Sequence, residues 1–267
     1  MYKLVEPSIV KPYKIFCSDT LNQLKNILRN DYDIECKFRV IGSGSKDIVT
    51  QNGNEPFDLD YNLYITRFPH NFDPNTSDEM KWLKDTIRNE LNELLGDEGF
   101  RDAQDSTSVL TAQRFLTRAP QKKLFSFDVA ILAKNTDGEY CRLIHEKRDF
   151  ERFYWNQVPS SHNIYDKADE LKQYGRWEDI VDKYLELKNM YLCRMDYNHP
   201  SSYNNVIELS YSIWDSIPVT YDPITRLLLG AFPVTKTGFL ALAGSTQISR
   251  MGSSPNIQRG CEPPEIR

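Results

Sequence analysis

Cysteine and histidine are scarce in this chain, and neither occurs in the spacing of a known site. The sequence has five cysteines, an odd and widely scattered set, and four isolated histidines. No Cys-x-x-Cys occurs and no histidine is followed by aspartate. These absences argue against a zinc site and a disulfide framework, and they exclude the His-Asp pair of metal-dependent phosphohydrolases.

The chain also lacks a surplus of positive charge and any long hydrophobic run. Its 33 Lys and Arg residues face 38 Asp and Glu residues, which gives a net charge of −5. A large nucleic-acid interface needs a basic surface, so we expect none here. No stretch approaches the roughly 20 apolar residues of a membrane span, and the start at Met1 has no signal-peptide core. We therefore expect a protein of the reducing cytoplasm, with no membrane partner.

Two aspartates share one face of a short predicted strand. In the segment from Asp58 to Ile65, alternate residues are apolar and predict a face packed on a core. Asp58 and Asp60 point the other way, about 7 Å apart along the strand. Two carboxylates at this separation repel each other unless a cation lies between them, and a pair of Mg²⁺ ions is the usual solution.

The same Asp-x-Asp spacing occurs a second time, at Asp31 and Asp33. That copy follows a helical pattern and lies among polar residues, so we interpret it as a solvated turn. An Asp-x-Asp pair alone is weak evidence for a metal site.

A third carboxylate strengthens the prediction. The segment from Lys123 to Leu132 is rich in β-branched and aromatic residues, which predicts another strand. Asp128 lies in its middle, where burial without a partner is costly, and its face-sharing neighbours Ser126 and Ala130 are small. If this strand pairs beside the first, Asp128 joins Asp58 and Asp60 in one cluster.

A glycine-serine turn precedes the first aspartate pair. The chain reads Gly42-Ser43-Gly44-Ser45-Lys46 directly after an apolar strand end, and glycine allows the backbone to approach a ligand closely. Either Gly42-Ser43 or Gly44-Ser45 can be the phosphate-binding turn; the preceding Val40 and Ile41 favour the first pair.

Together these motifs resemble the nucleotidyltransferase superfamily, the group with a DNA polymerase β-like catalytic core. The matching residues are Gly42, Ser43, Asp58, Asp60 and Asp128, and the wording around them is similar to bacterial proteins known by their nucleotidyltransferase domain. The resemblance covers roughly residues 20 to 135.

The resemblance implies transfer of a nucleotidyl group from a nucleoside triphosphate to an acceptor hydroxyl, with release of pyrophosphate. Two Mg²⁺ or Mn²⁺ ions would be held by Asp58, Asp60 and Asp128. Nucleotide-binding residues would be Gly42, Ser43, Ser45 and Lys46. The acceptor stays open among a small molecule, a nucleotide, an RNA end and a protein. The alternatives are a catalytically silent module that senses nucleotide or binds a partner protein, and a structural metal site.

The fold expected is α+β, a mixed sheet with flanking helices followed by a helical lobe. We expect a catalytic core over residues 1–150, a helical lobe capping the cleft over 151–217, and a weakly structured tail over 218–267. In the core, we predict helices over 18–29 and 77–95, strands over 38–41, 108–116 and 123–132, and a polar loop with an Asn52-Gly53 turn.

Overall fold

A computed structural model describes residues 1–116, 119–148, 150–158, 162–192, 206–208 and 210–211. The fold is α+β, as predicted. The elements are β1 (Tyr2–Leu4), α1 (Pro7–Tyr32), β2 (Glu35–Ile41), β3 (Thr50–Asn52), β4 (Asp58–Arg67), α2 (Ser77–Leu95), β5 (Phe100–Asp105), β6 (Leu110–Leu116), β7 (Ala119–Lys134), β8 (Tyr140–Glu146), β9 (Arg152–Gln157), α3 (His162–Gln173) and α4 (Trp177–Leu192).

Helix α1 begins eleven residues earlier than the sequence pattern predicts. Pro7 occupies the first turn, where a missing N–H costs nothing, and Pro12 lies inside the helix. The predicted start at residue 18 is therefore wrong, because Ser18 lies within the helix. The side of α1 that packs on the sheet is fully buried at Cys17, Leu21, Leu24 and Leu28.

Helix α2 runs from Ser77 to Leu95, the range that the sequence predicts. Its apolar stripe is at most 3% exposed at Met80, Leu83, Ile87, Leu91 and Leu95. Asp78 and Glu79 lie in the first turn, where the helix dipole favours negative charge. Each of the two long helices is therefore held against the sheet by its own buried apolar stripe.

The seven-stranded sheet has the order β2-β4-β7-β6-β5, and β8 and β9 continue from β7. β4 and β7 are parallel, whereas the other neighbours are antiparallel. One side of the central strands, the core face, is at most 5% exposed at Leu59, Tyr61, Leu63, Ile65, Phe125, Phe127, Val129 and Ile131. The opposite side, the carboxylate face, carries Asp58, Asp60 and Asp128.

Several strands differ from the sequence prediction. The predicted Asn52-Gly53 turn forms, with the Glu55 N–H donating to the Asn52 carbonyl at 2.9 Å, but it closes no hairpin, because β3 pairs with the N-terminal strand β1 in a separate two-stranded sheet. β7 already begins at Ala119, four residues before the predicted start at Lys123. β5, β8 and β9 lack a strong alternating pattern and were not predicted from the sequence.

The chain divides into two compact units, Met1–His162 and Asn163–Arg267. In the second unit, Gly175 (φ 69°) separates α3 from α4. The two helices bury Ile164, Ala168, Leu171, Ile180 and Tyr184. The predicted tail, 218–267, lies outside the described residues. Among the residues that are described, no helix has the length and apolar character needed to cross a membrane.

Candidate metal and nucleotide site

The parallel pairing of β4 with β7 brings the predicted carboxylates together. Asp60 is paired with Asp128, and Asp58 is paired with Ser126. Neighbouring strands lie about 4.8 Å apart, so the Asp60 and Asp128 side chains leave the sheet side by side on the same face. Asp58 lies one step earlier on that face and is exposed, whereas Asp60 and Asp128 are partly buried.

Two of the three carboxylates, Asp58 and Asp128, accept hydrogen bonds from hydroxyl side chains. The Ser126 Oγ donates a hydrogen bond to Asp58 Oδ1, and Ser126 itself is 2% exposed. Thr111 on β6 is paired with Asp128 and its side chain hydrogen-bonds to that carboxyl group. Three strands therefore contribute to the site. Asp58 and Asp128 are each oriented by a hydroxyl group, from Ser126 and Thr111 respectively.

The electrostatics of Asp128 fit a cluster of like charges. Burial raises the pKa of Asp128, and the negative charge of Asp58 raises it further. The hydrogen bond from Thr111 and the positive charge of Lys123 oppose this shift. The net result is an upward shift, so the charged form of Asp128 is disfavoured in the protein alone, and a cation nearby would favour it.

The donor chemistry suits a hard divalent cation. Carboxylate oxygens are the preferred ligands of Mg²⁺, and relief of the repulsion at Asp128 would favour its binding. The side chains do not already converge as ligands: within the described residues, no group of three or more Asp, Glu, His or Cys side chains is arranged to hold a metal ion. The residues therefore suit a divalent metal ion by their type and by the strand register that brings them together.

The turn after β2 brings Gly42 against Asp60. Gly42 has φ +58°, and a Cβ added there would lie 2.9 Å from Asp60 Oδ2. Both the left-handed backbone and this contact require glycine. The close approach puts the backbone of the turn beside the carboxylates, as a site for the phosphates of a metal-bound nucleotide requires.

The second glycine of the turn has a different role. Gly44 is buried, and a Cβ there would lie 2.9 Å from Val40 Cγ2 and 3.1 Å from Leu59 Cδ2. Gly44 therefore packs on the hydrophobic core and begins a short 3₁₀ helix, Gly44–Lys46. Of the two candidate pairs, Gly42-Ser43 is the one beside the carboxylates.

The remaining predicted nucleotide ligands lie in the same turn. The Ser45 hydroxyl is exposed and donates to the Gly42 carbonyl at 2.9 Å, so its proton is used within the turn. Lys46 is partly exposed, and its backbone N–H donates to the Ser43 carbonyl at 3.2 Å. In the described ranges the Ser43 hydroxyl has no hydrogen-bond partner, which leaves its proton for a ligand.

Sequence reasoning missed Thr111 as part of this site. The alternation of β6 predicts a strand there, but nothing local says which neighbour Thr111 faces. Its role follows from the β6–β7 register, which pairs it with Asp128. The only available signal was a hydroxyl residue in the middle of an otherwise mixed strand.

Comparison with known proteins gives structural neighbours only. No family model matches the chain, and no curated protein matches it. Escherichia coli DncV in its 3′-deoxy GTP bound form is 16% identical, with a TM-score of 0.44 over 73% of this chain and 50% of that one.

Structures of Vibrio cholerae DncV are similar to the same degree. The apo form is 14% identical, with a TM-score of 0.45 over 77% of this chain and 54% of that chain. The structure of the cyclic AMP-GMP synthase in complex with the linear intermediate 5′ pppA(3′,5′)pG is 14% identical. Its TM-score is 0.43 over 71% of this chain and 49% of that chain. The chain spans about half the length of these proteins.

Proposed function

We propose that this protein is a metal-dependent nucleotidyltransferase that transfers a nucleoside monophosphate from a nucleoside triphosphate to an acceptor hydroxyl. The observation that carries the proposal is the register of β4 and β7, in which Asp60 is paired with Asp128 one step beyond Asp58. The close approach of Gly42 to Asp60 supports it, because phosphates and metal ligands must meet at one point.

In this proposal each carboxylate has its own task. Asp58 and Asp60 would hold two divalent ions, and Asp128 would hold only the ion next to the acceptor. Two Mg²⁺ or Mn²⁺ ions, when bound, neutralise the triphosphate and activate the acceptor oxygen. The Ser126 hydroxyl occupies only Oδ1 of Asp58, which leaves the second oxygen of that carboxylate for a metal ion.

The covalent step is a displacement at the α-phosphorus. The acceptor oxygen forms a bond to that phosphorus, the bond to the bridging oxygen of the β-phosphate breaks, and pyrophosphate leaves. Asp128 would take the acceptor proton as a general base, and a bound cation would keep its carboxylate in the charged form that this role requires. Gly42, Ser43 and the following turn bind the phosphates through backbone N–H groups and the Ser43 hydroxyl.

A thermal-shift titration with each of the four nucleoside triphosphates tests the proposal. A ligand that binds only the folded state stabilises it by about 2.7 kcal/mol at one hundred times its dissociation constant. We expect a shift with at least one nucleotide that requires Mg²⁺ or Mn²⁺ and is lost in Asp58→Asn/Asp60→Asn. Incubation with that nucleotide and candidate acceptors should then release pyrophosphate.

The second Asp-x-Asp provides a matched control. Asp31→Asn/Asp33→Asn removes the same charge at the same spacing, away from the site, and costs one surface ion pair between Asp33 and Arg67. This variant should keep the full metal-dependent shift. Binding without pyrophosphate release from any acceptor would favour the silent nucleotide-sensing alternative, and no shift with any nucleotide would contradict the proposal.

A further inference from the structure

A wide pocket opens at the β2 edge of the first unit, beyond the carboxylates. Its volume is about 820 Å³, within the range of sites for small organic ligands. We call it the β2-edge pocket, and its lining comes from α1, β2, β4, β7, β8 and the segment after β4. The lining residues are Lys25, Lys37, Phe38, Arg39, Tyr64, Ile65, Thr66, Phe68, Lys134 and Tyr140.

The charge of this lining is of one sign. Lys25, Lys37, Arg39 and Lys134 all contribute, and none of the lining residues is acidic. Within the part of the chain that the structure describes, none of these four cations forms an ion pair with a carboxylate. The chain as a whole is acidic, so this concentration of uncompensated positive charge is a local feature. Such a pocket attracts anions.

Aromatic side chains supply the second half of the pocket. The rings of Tyr64 and Tyr140 are 4.9 Å apart in an edge arrangement, and Lys134 Nζ lies 5.3 Å from the centre of the Tyr140 ring. Asn62 Nδ2 donates to the Tyr64 hydroxyl at 2.9 Å. That hydroxyl therefore accepts within the protein and keeps its own proton for a ligand oxygen.

The pocket is separate from the carboxylates, although its Lys37, Arg39 and Tyr64 side chains lie on the carboxylate face of the sheet; Ile65 lines it from the core face. Lys37 is paired with Tyr64, four residues beyond Asp60 on β4, which corresponds to about 13 Å along the strand. Arg39 is paired with Asn62 and lines the pocket on the side nearer the carboxylates, one step along the strand face from Asp60. An anion held between Lys37 and Lys134 would thus lie at the end of the pocket that is farther from Asp60 and Asp128.

We propose that the β2-edge pocket binds a small organic phosphate that carries an aromatic ring. Its phosphate oxygens contact Lys37, Arg39 and Lys134 and accept from the Tyr64 hydroxyl, while its ring packs on Tyr140. Binding at this site needs neither a metal ion nor turnover, so it is independent of the proposed nucleotidyl transfer.

Isothermal titration of the full chain with two probes, in EDTA and at low salt, tests the site. The probes are 1-naphthyl phosphate, which has both chemical features, and tripolyphosphate, which has only charge. We expect both to bind the wild-type protein, and Lys37→Glu/Lys134→Glu to weaken both at least tenfold. Tyr140→Ala should weaken 1-naphthyl phosphate several-fold and leave tripolyphosphate within twofold.

Two control variants separate this site from general charge effects and from the carboxylates. Lys3→Glu/Lys11→Glu makes the same charge change at exposed lysines outside the pocket and should bind both probes within twofold of wild type. Asp58→Asn/Asp60→Asn should also keep probe binding, even though it loses any metal-dependent nucleotide binding.

Three results would overturn the proposal. They are no binding of either probe to the wild type, equal weakening in Lys3→Glu/Lys11→Glu, and loss of binding in Asp58→Asn/Asp60→Asn. A ten-nucleotide single-stranded RNA that binds more tightly than tripolyphosphate, and is lost in Lys37→Glu/Lys134→Glu, would replace the small phosphate with a nucleic acid as the ligand.

Discussion

Asp60 and Asp128 occupy paired positions on the parallel neighbouring strands β4 and β7, with their side chains on one face. Thr111, on the other side of β7, is paired with the same Asp128. The two carboxylates are far apart in the sequence, and each is adjacent to apolar residues that face the core. This relationship joins two separate aspartate motifs into one electrostatic unit.

The stability of the metal-free protein should depend on the charge of Asp128. Its pKa is raised in the folded state by burial and by Asp58, so folding is opposed when Asp128 is ionised. As the pH falls from neutral through this raised pKa, the folded state takes up a proton and gains stability. Urea unfolding of EDTA-treated protein should therefore show Asp128→Asn more stable than wild type at pH 7. That difference should vanish as the pH is lowered.

A constant difference between Asp128→Asn and wild type at every pH would contradict this prediction. Comparison of the two proteins at each pH cancels the other carboxyl groups, above all Asp105. Burial raises the pKa of Asp105, but the hydrogen bond and charge of Lys84, and then His145, lower it overall. The two groups therefore respond oppositely to acid: the ionised Asp105 stabilises the fold, and this stabilisation is lost as the pH falls through its lowered pKa.

Replacement of Asp128 should also remove most of the proposed activity. Asp128→Asn keeps the shape of the side chain and the neighbouring core, but it can neither accept a proton nor bind a cation as a carboxylate does. We expect pyrophosphate release to fall about 10²- to 10⁴-fold, the usual contribution of a positioned base. Urea unfolding gives the matching fold control, and a variant within threefold of wild type would show that Asp128 is not the base.

Thr111 should set the pH dependence of the site. Its hydrogen bond lowers the pKa of Asp128, so Thr111→Val should let that pKa rise further. The acidic limb of a pH–rate profile for pyrophosphate release should then move to higher pH. Thr111→Ser retains the hydroxyl and should restore the wild-type limb; a purely structural role would lower the rate at all pH values without moving the profile.

Gly42 and Gly53 form a matched pair for the turn. Both have left-handed backbones, with φ +58° and +55°, so alanine at either position costs about 1–2 kcal/mol in strain. Only at Gly42 does the new Cβ meet Asp60 Oδ2, at 2.9 Å, since nothing lies within 4 Å of the one at Gly53. Gly42→Ala should therefore lose metal-dependent nucleotide binding, and Gly53→Ala should keep it, when both are measured by thermal shift.

The ion pair between Lys84 and Asp105, away from the site, should contribute to the stability of the fold rather than to activity. Lys84 Nζ, 2% exposed, lies 2.6 Å from Asp105 Oδ1 and donates to the Ser106 carbonyl at 2.7 Å. Lys84→Ala leaves Asp105, whose side chain is only 13% exposed, without its main partner, which should cost about 3–5 kcal/mol. Lys81→Ala removes an exposed lysine from the same helix, with its 3.7 Å ion pair to Glu151, and should change the unfolding free energy by less than about 1 kcal/mol.

Local pattern predicted the elements that carry a strong period. α2 was placed to the residue because its apolar stripe and acidic first turn agree, and the core faces of β4 and β7 followed from alternation. β1, β3, β5, β8 and β9 escaped prediction, since short strands with mixed faces leave no period to detect. The predicted start of α1 was also wrong, because in a sequence a proline in the first helical turn cannot be told from a proline that ends a helix.

The sequence by itself determined which side of each central strand is polar, because backbone geometry fixes the alternation of side chains regardless of neighbours. It therefore named Asp58, Asp60 and Asp128 as candidates before any fold was known. Only the tertiary structure decided that β4 pairs with β7 in the register that aligns Asp60 with Asp128, and that Gly42 rather than Gly44 faces them. Pairing between distant strands is chosen by the joint burial of both core faces, a property that no single segment contains.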